Sequence, residues 1–235
     1  MKAGKPEPTG QTPPPQRAEA GLPAALAYHV ETVRACTRCP RMHRPAVPGY
    51  PIASKVMLVG QAPGRHEPVK GRPFAWTAGR TLFAWFKEGC GIGEERFRRV
   101  VYMAAVCRCF PGALPAGGDR VPDRAEIAEC SRWLRAEFDL LRPELVIPVG
   151  RLAIVQFLPP APLTEIIGRQ FRGEYAGHAC DVVPLPHPSG ASPWPRIEPG
   201  RTLTRQALAL IRAHPAFPAA EGATKPSPDG DRVSV

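Results

Sequence analysis

Apolar residues along the middle of the chain follow two alternating patterns. Four short runs are apolar at nearly every position, which is typical of strands covered on both faces: residues 56–60, 100–106, 144–149 and 182–185. Around them, apolar residues recur at helical spacing over 22–36, 77–87, 122–141, 152–157 and 202–213. Strands that alternate with helices form a parallel sheet sandwiched by helices. The pattern therefore predicts an α/β fold, a three-layer α/β/α sandwich with a central four-stranded parallel sheet.

Both ends of the chain lack this periodicity. Residues 1–21 and 217–235 are rich in proline, glycine and polar residues. Such segments cannot bury enough apolar surface to offset the loss of chain entropy on folding. We therefore expect disordered tails at 1–21 and 217–235 around one folded domain at 22–216.

The charge balance points to a polyanionic partner. The 235 residues include 31 Lys and Arg against 21 Asp and Glu, a formal net charge of +10. A basic surface binds nucleic acid through the release of counterions, although it can also serve solubility alone. No run of about eighteen apolar residues predicts a membrane span, and the amino terminus has no secretory signal. We expect a cytoplasmic protein without membrane contact.

Two loops follow directly on predicted strands. Residues 60–64, Gly-Gln-Ala-Pro-Gly, follow the first strand, and residues 187–189, His-Pro-Ser, follow the fourth. Loops at the carboxyl ends of strands build the ligand crevice of an open α/β sheet. The two loops therefore predict one active-site cleft.

Four cysteines form a candidate ligand set. Cys36 and Cys39 are a close pair, whereas Cys109 and Cys130 are single and distant. In an intracellular chain such cysteines indicate metal or redox chemistry, and four thiolates suit zinc or an iron-sulfur cluster. A zinc ribbon usually offers two close pairs, so the spread of the second half favours a cluster. Zinc and unrelated buried cysteines stay open as alternatives.

The other three cysteines are assigned to packing, because a free cysteine behaves as a small buried hydrophobe. They are Cys90, Cys107 and Cys180. Cys107 lies two positions before Cys109, so the two side chains face the same way. Cys107 could therefore replace Cys109 in the ligand set.

The motifs resemble those of a known superfamily. Residues 60–67, GQAPGRHE, with 71–74, GRPF, and the Ala78-Gly79 pair that opens a helix, resemble the first motif of the uracil-DNA glycosylase superfamily. Residues 187–190, HPSG, resemble its second motif. The cysteine pattern is similar to that of the cluster-binding bacterial and archaeal branches, families four and five. The resemblance covers nearly the whole predicted domain.

This resemblance implies a cofactor and a partner. The cofactor is a structural [4Fe-4S] cluster on Cys36, Cys39, Cys109 and Cys130, and base excision requires no electron transfer from it. The partner is uracil-containing DNA, on which a monomer acts at the bacterial nucleoid.

The resemblance also assigns roles around a flipped base. A glycosylase extrudes the nucleotide and stabilises the sugar cation and the base anion while the bond to C1′ breaks. His187 would donate a hydrogen bond to the uracil oxygen that gains charge, and Phe74 would stack on the base. The other candidates near the base and its phosphates are Ala62, Pro63, Gly64 and Ser189.

Activation of water needs a carboxylate or another hydrogen-bonding side chain beneath the sugar. Glu67 has the best motif position, and Gln61 could orient a water molecule without taking its proton. Asp119 and His66 are further candidates in the same cleft. The residues alone do not choose among these four.

The chain departs from both families at three positions. Gln61 stands where family four has a glutamate, and Thr77 stands where family five has an aspartate. Asp119 stands where both usually have an asparagine, in a loop several residues longer than usual. These departures fit a divergent branch, so the role of the water-activating residue cannot be transferred from either family.

The resulting expectation is a DNA repair glycosylase that flips uracil out of DNA and hydrolyses its N-glycosidic bond. The product would be an abasic site for base excision repair. Two related functions stay open: excision of other deaminated bases such as hypoxanthine or xanthine, and binding of uracil-DNA with little turnover. A redox protein built around the cluster is the alternative outside DNA repair.

Overall fold

The sheet has five strands, one more than the pattern predicted. A computed structural model describes residues 21–190 and 192–219. Of the tails predicted at 1–21 and 217–235, residues 1–20 and 220–235 lie outside the described residues. The strands are β1 Val56–Gly60, β2 Tyr102–Ala105, β3 Leu145–Pro148, β4 Phe171–Tyr175 and β5 His178–Val182. Their order across the sheet is β2-β1-β3-β5-β4. Every pairing is parallel except that of β4 with β5.

Helices flank this sheet, so the predicted α/β class is confirmed. Those of the described residues are α1 Leu22–Arg34, α2 Glu67–Lys70, α3 Thr77–Cys90, α4 Glu94–Val100, α5 Arg124–Leu141, α6 Arg151–Ile154, α7 Leu163–Ile166 and α8 Gly200–Ala213. Helix α3 packs against α4 and α8, and α1 packs against α5. No helix in the described part of the chain is long and apolar enough to cross a bilayer.

The prediction of four strands was wrong because it missed the edge strand β4. Its residues are alternately half-buried and exposed, so the strand has no continuous apolar run. A two-residue turn, Ala176-Gly177, joins β4 to β5 and has a positive φ at both positions. A turn of this kind suits the twist of a tight hairpin. The fourth predicted strand lies slightly earlier than expected, at β5, and Leu185 only bridges to Val149.

Helix α5 begins where its capping residue predicted. The Asp123 side chain accepts a hydrogen bond from the Glu126 backbone N–H, 2.9 Å away, and the Glu126 carboxylate accepts one from the Asp123 N–H at 2.8 Å. This reciprocal pair satisfies two amides at the start of the helix. The helix carries Cys130 towards the loop after β2, where Cys130 Sγ accepts the Arg108 N–H at 3.3 Å.

The folded body extends beyond residue 216, where the sequence placed its end. Phe217 is buried and its ring stacks on Phe86 of α3, with 6.2 Å between the centroids. The proline-rich composition around Phe217 concealed this single apolar anchor. Residue 217, which the sequence assigned to the tail, therefore packs against the core.

Candidate active site

A cavity of about 580 Å³ opens at the carboxyl ends of β1 and β2. Its volume is typical of a site for a small molecule. All ten residues that the sequence nominated for catalysis or substrate binding line it: Gln61, Ala62, Pro63, Gly64, His66, Glu67, Phe74, Asp119, His187 and Ser189. The loops after β1 and β5 therefore meet at one cleft, as their positions after strands predicted.

The loop after β1 begins as an extension of the sheet. The Val106 N–H donates to the Gly60 carbonyl at 2.9 Å, and the Cys107 N–H donates to the Gln61 carbonyl at 3.0 Å. These bonds fix the backbone on which Gln61 lies. The chain then turns at residues 62–64, which have small side chains or none and border the cavity.

Glu67 connects the two halves of this loop. One carboxylate oxygen accepts the Gly64 N–H at 2.9 Å, and the other accepts the Ala75 N–H at 3.0 Å. The side chain is only 8% exposed. Burial raises the pKa of Glu67, and the amides of Gly64 and Ala75 oppose that shift. Glu67 is thus a buried side chain that joins two parts of the loop by hydrogen bonds, and not a solvated surface charge.

Phe74 presents its ring to the cavity from an unusual backbone conformation. Its φ is +52°, which a residue with a side chain rarely adopts. A Cβ on Gly60 would lie 2.9 Å from the Phe74 ring, and a Cβ on Gly79 would lie 1.8 Å from the Phe74 carbonyl oxygen. The two glycines therefore leave the space in which Phe74 sits across the end of β1.

A buried arginine holds the same segment. Arg98 donates to the Pro73 carbonyl at 2.9 Å and to the Phe74 carbonyl at 3.0 Å. Its Nε donates to Glu94 at 2.8 Å, and the guanidinium lies 4.6 Å from the Phe83 ring centroid. Strained backbone of this kind persists only where its surroundings fix it, and Arg98 supplies two of those contacts.

His187 is held in one tautomer. The Ser189 N–H donates to His187 Nδ1 at 3.2 Å, so Nε2 carries the proton of the neutral ring. Burial lowers the pKa of His187, while the Asp119 charge opposes that shift. Gly150, with φ +84°, lets the ring pack closely against the backbone, because a Cβ there would lie 2.9 Å from His187 Cδ2. The ring is therefore a neutral hydrogen-bond donor with a fixed orientation.

Asp119 lies across the cavity on a braced loop. Ala113 and Asp119 form an antiparallel bridge, and the Arg120 N–H donates to the Gly112 carbonyl at 2.7 Å. A Cβ on Gly64 would be 3.3 Å from Asp119 Oδ2, which places the carboxylate over the loop after β1. Burial raises the pKa of Asp119, and the charges of His187, Arg65 and His66 oppose this shift.

Three residues of the site were not predicted from the sequence to be functional. Trp76 lines the cavity and its ring lies 4.3 Å from that of His66, centroid to centroid. An aromatic residue beside the first motif was the available signal for Trp76. Arg98 and Gly150 gave no signal, because their contacts join segments that are far apart in the sequence.

The four candidate ligand cysteines lie near enough to one another for their thiols to interact electrostatically. Burial raises the pKa of Cys109 to about 12, and Cys130, Cys36 and Cys39 add to that shift through their charges. Cys107 belongs to the same group, since it hydrogen-bonds to Cys130 and lowers the pKa of the Cys130 thiol. The structure therefore brings five thiols together, and Cys107 is not a packing residue in a separate part of the core.

The donor chemistry of this group fits a thiolate-bound cofactor. Arg108 is 1% exposed, and its Nε and Nη1 have no hydrogen-bond partner. A buried guanidinium with free N–H groups beside thiols suits an anionic neighbour. Within the described ranges, no three His, Cys, Asp or Glu side chains are arranged around a single metal ion.

The other two cysteines are buried in the core, as predicted. The Cys90 thiol donates to the Leu208 carbonyl at 3.5 Å. Cys180 lies in β5 and is fully buried. Burial raises the pKa of Cys90 to about 12 and that of Cys180 to about 11. Neither thiol is therefore ionised at neutral pH.

Comparison with known proteins agrees with the geometry of the cleft. The family described as "Uracil DNA glycosylase superfamily" matches residues 47–210, which include every residue that lines the cavity. This chain belongs to that superfamily. The superfamily match begins after Cys36 and Cys39, so these two cysteines lie outside it.

Relatives in the superfamily come from both branches that the motifs resemble. A type-4 uracil-DNA glycosylase of Sulfurisphaera tokodaii is 30% identical over 170 residues, which cover 68% of this chain and 73% of that protein. A type-4 enzyme of Thermotoga maritima is 29% identical over 164 residues, or 68% and 79% of the two chains. A type-5 enzyme of Pyrobaculum aerophilum is 29% identical over 149 residues, or 50% and 62%.

Proposed function

We propose that this protein is a uracil-DNA glycosylase that hydrolyses the bond between uracil and deoxyribose and leaves an abasic site for base excision repair. The observation that carries the proposal is the geometry of His187. Its Nδ1 accepts the Ser189 N–H, which leaves Nε2–H as a donor on a ring that lines the same cavity as Phe74. The site therefore combines a fixed neutral donor with an aromatic surface.

The aromatic surface suits a base that has left the DNA stack. An extruded uracil would lie against the Phe74 ring, and stacking of this kind contributes about 1–3 kcal/mol per base. The backbone around Ala62 and Gly64 lets the base or a phosphate approach closely, because it carries little side chain. The net charge of +10 favours binding of the DNA strands around the extruded nucleotide.

His187 would act on the leaving group. As the glycosidic bond breaks, its electron pair moves onto uracil, and an oxygen of the base gains negative charge. The Nε2–H donates to that oxygen, and this hydrogen bond strengthens towards the transition state. A neutral imidazole suffices for this role, which agrees with the lowered pKa of His187.

We also propose that Cys36, Cys39, Cys109 and Cys130 hold a [4Fe-4S] cluster of structural role. Bound there, the cluster would supply four iron–thiolate bonds that join residues 36–39 to the loop after β2 and to α5. The test is the iron and sulfide content of Cys109→Ser beside Cys107→Ser. Iron lost only from Cys109→Ser supports this ligand set, and iron lost only from Cys107→Ser makes Cys107 the ligand.

The glycosylase activity is tested on a labelled duplex with one uracil, followed by alkali to cleave abasic sites. We expect free uracil from the wild type and a rate about 10²- to 10³-fold lower for His187→Ala. His178→Ala is the matched control, because His178 pairs with Asp139 outside the cavity. Cleavage of hypoxanthine or xanthine but not uracil would contradict the proposed substrate. A protein–DNA band that survives denaturation without product would contradict turnover.

A further inference from the structure

We propose that Asp119, and not Glu67, is the general base that takes a proton from the attacking water. This inference rests on the proposed function and names the residue that the motifs left undecided. Two carboxylates line the described cavity, Glu67 and Asp119. Their surroundings differ in a way that separates a positioning role from a catalytic one.

Glu67 uses both of its carboxylate oxygens to hold the backbone. Each of its two carboxylate oxygens already accepts a backbone N–H, from Gly64 and from Ala75. Protonation of Glu67 during catalysis would weaken the bonds that hold the loop after β1 and the segment that carries Phe74. Its side chain is also buried beneath that loop. Glu67 is therefore a positioning residue.

Asp119 has the opposite surroundings. Its carboxylate accepts no hydrogen bond from any residue that the structure describes, and Oδ2 lies above Gly64 at the cavity. The residue after Asp119 is anchored, since the Arg120 side chain donates to the Pro111 carbonyl at 2.8 Å and forms an ion pair with Glu126 at 2.7 Å. The backbone beside Asp119 is held in place and its carboxylate oxygens are free. A base that accepts a proton from the attacking water needs both.

The charged groups that face Asp119 suit the same role. They are His187, Arg65 and His66, all on the loops around the cavity. Burial raises the pKa of Asp119, and the permanent charge of Arg65 opposes that shift by favouring the ionised carboxylate. The pKa of Asp119 therefore lies above the ordinary value for an aspartate, which makes its carboxylate a stronger proton acceptor. Gln61 lines the same cavity and can orient the water through its amide without accepting the proton.

The reaction balances with these groups alone. The bond from C1′ to uracil N1 breaks, and its electron pair leaves with uracil, whose oxygen is stabilised by His187. The water oxygen forms a bond to C1′, and one water proton passes to the Asp119 carboxylate. That proton then leaves to solvent or to the uracil anion. No oxidant or further reactant is needed.

The first test measures single-turnover excision of uracil as a function of pH. In the wild type we expect the rate to fall as the pH drops through the pKa of Asp119, because the base becomes protonated. Asp119→Asn keeps the size of the side chain and should lower the rate about 10²-fold or more while removing this acidic limb. Asp139→Asn, an exposed aspartate outside the cavity, is the control and should behave as the wild type.

A second test separates the base from a positioning residue. Formate should partly restore the rate of Asp119→Ala, because it supplies a carboxylate in the vacated space, and should not restore Glu67→Ala. Glu67→Gln should weaken binding of a duplex that carries a cleavage-resistant 2′-fluoro uracil nucleotide, yet keep the acidic limb. If the wild type excises uracil and Asp119→Asn keeps both rate and limb, the inference is wrong. If the wild type excises no uracil, the proposed function fails first.

Discussion

The cavity and the cysteine group are built from one stretch of chain, but the carboxylates on the two sides differ in how many hydrogen-bond partners they have. Ala105 and Pro111 line the cavity. Cys107 and Cys109 lie between them in the sequence and belong to the cysteine group. On the cavity side, the Asp119 carboxylate has no hydrogen-bond partner among the described residues.

On the other side, Glu137 is fully satisfied. It accepts hydrogen bonds from Tyr102 at 2.8 Å and from Arg108, and His29 lies 3.1 Å away. Glu137 and Tyr102 are fully buried. A carboxylate with several protein partners maintains structure, whereas one without partners is available to a ligand. This difference agrees with a structural role for Glu137 and with the catalytic role proposed for Asp119.

The largest effect on stability should come from disrupting the hydrogen-bond network around Glu137. Glu137→Gln leaves the buried Arg108 charge without its counter-charge, so we expect a loss of about 3–5 kcal/mol in the free energy of unfolding. Glu95→Gln, which breaks the exposed ion pair with Arg99, should cost less than about 1 kcal/mol. Urea unfolding of both variants gives the comparison. Equal losses would mean that burial of the Glu137 network does not matter.

The same network predicts how acid affects stability. Burial alone would raise the pKa of Glu137, but the Arg108 charge and the His29 hydrogen bond outweigh it and leave the pKa lowered. A carboxylate with a lowered folded-state pKa contributes stability above its unfolded pKa, and this contribution is lost as the pH falls through the folded value. Wild-type stability should therefore decline in acid more steeply than that of Glu137→Gln.

The next effect concerns the donor in the cavity. Gly150→Ala places a Cβ against His187 and strains a position with φ +84°, so the ring must shift. We expect uracil excision to slow by about 10²-fold, near the effect of losing one donor. Gly177→Ala also places an alanine at a positive φ, +82°, but without any neighbour within 4 Å. A similar loss of activity in both variants would show that strain, and not the His187 contact, is responsible.

A smaller effect should follow from loosening the segment that carries Phe74. Arg98→Lys cannot hold the Pro73 and Phe74 carbonyls together, because an ammonium lacks the planar fork of a guanidinium. We expect KM for uracil-DNA to rise by about tenfold, or ~1.4 kcal/mol, with a smaller change in kcat. Arg99→Lys, at an exposed ion pair, is the control. A fall in kcat alone would place Arg98 in the chemical step.

The smallest effect should be seen at the start of α5, which carries both Cys130 and Glu137. Asp123→Ala removes the side-chain oxygen that accepts the Glu126 N–H, so we expect a loss of about 1 kcal/mol in unfolding free energy. Glu129→Ala lies on the exposed face of the same helix and should cost less. Thermal unfolding of the two variants distinguishes a capping effect from a general loss of charge.

The sequence predicted the cavity better than it predicted what holds the cavity together. Gln61, Phe74 and His187 follow strands or lie in recognisable motifs, so their position at one edge of the sheet could be inferred. Arg98 could not, because a basic residue on a short helix resembles any surface residue until the fold turns it inward. Glu137 was hidden in the same way, since an acidic residue within a helix usually faces solvent.

Strand β4 and Phe217 were missed for a different reason. The edge strand is exposed on alternate residues and needs no apolar run, and one aromatic residue in a proline-rich stretch has no periodicity to reveal it. Local patterns identify elements that are buried along their whole length. They do not identify an element whose burial depends on a single partner, such as Phe217 on Phe86.

The loop that precedes Asp119 behaves as an exchangeable part. Its stem is closed by the Ala113–Asp119 bridge and by the bond from Arg120 N–H to the Gly112 carbonyl. Residues 114–118 are exposed beyond that stem. We therefore expect that residues 114–117 can be shortened or replaced, for example by loop grafting, without moving the Asp119 carboxylate.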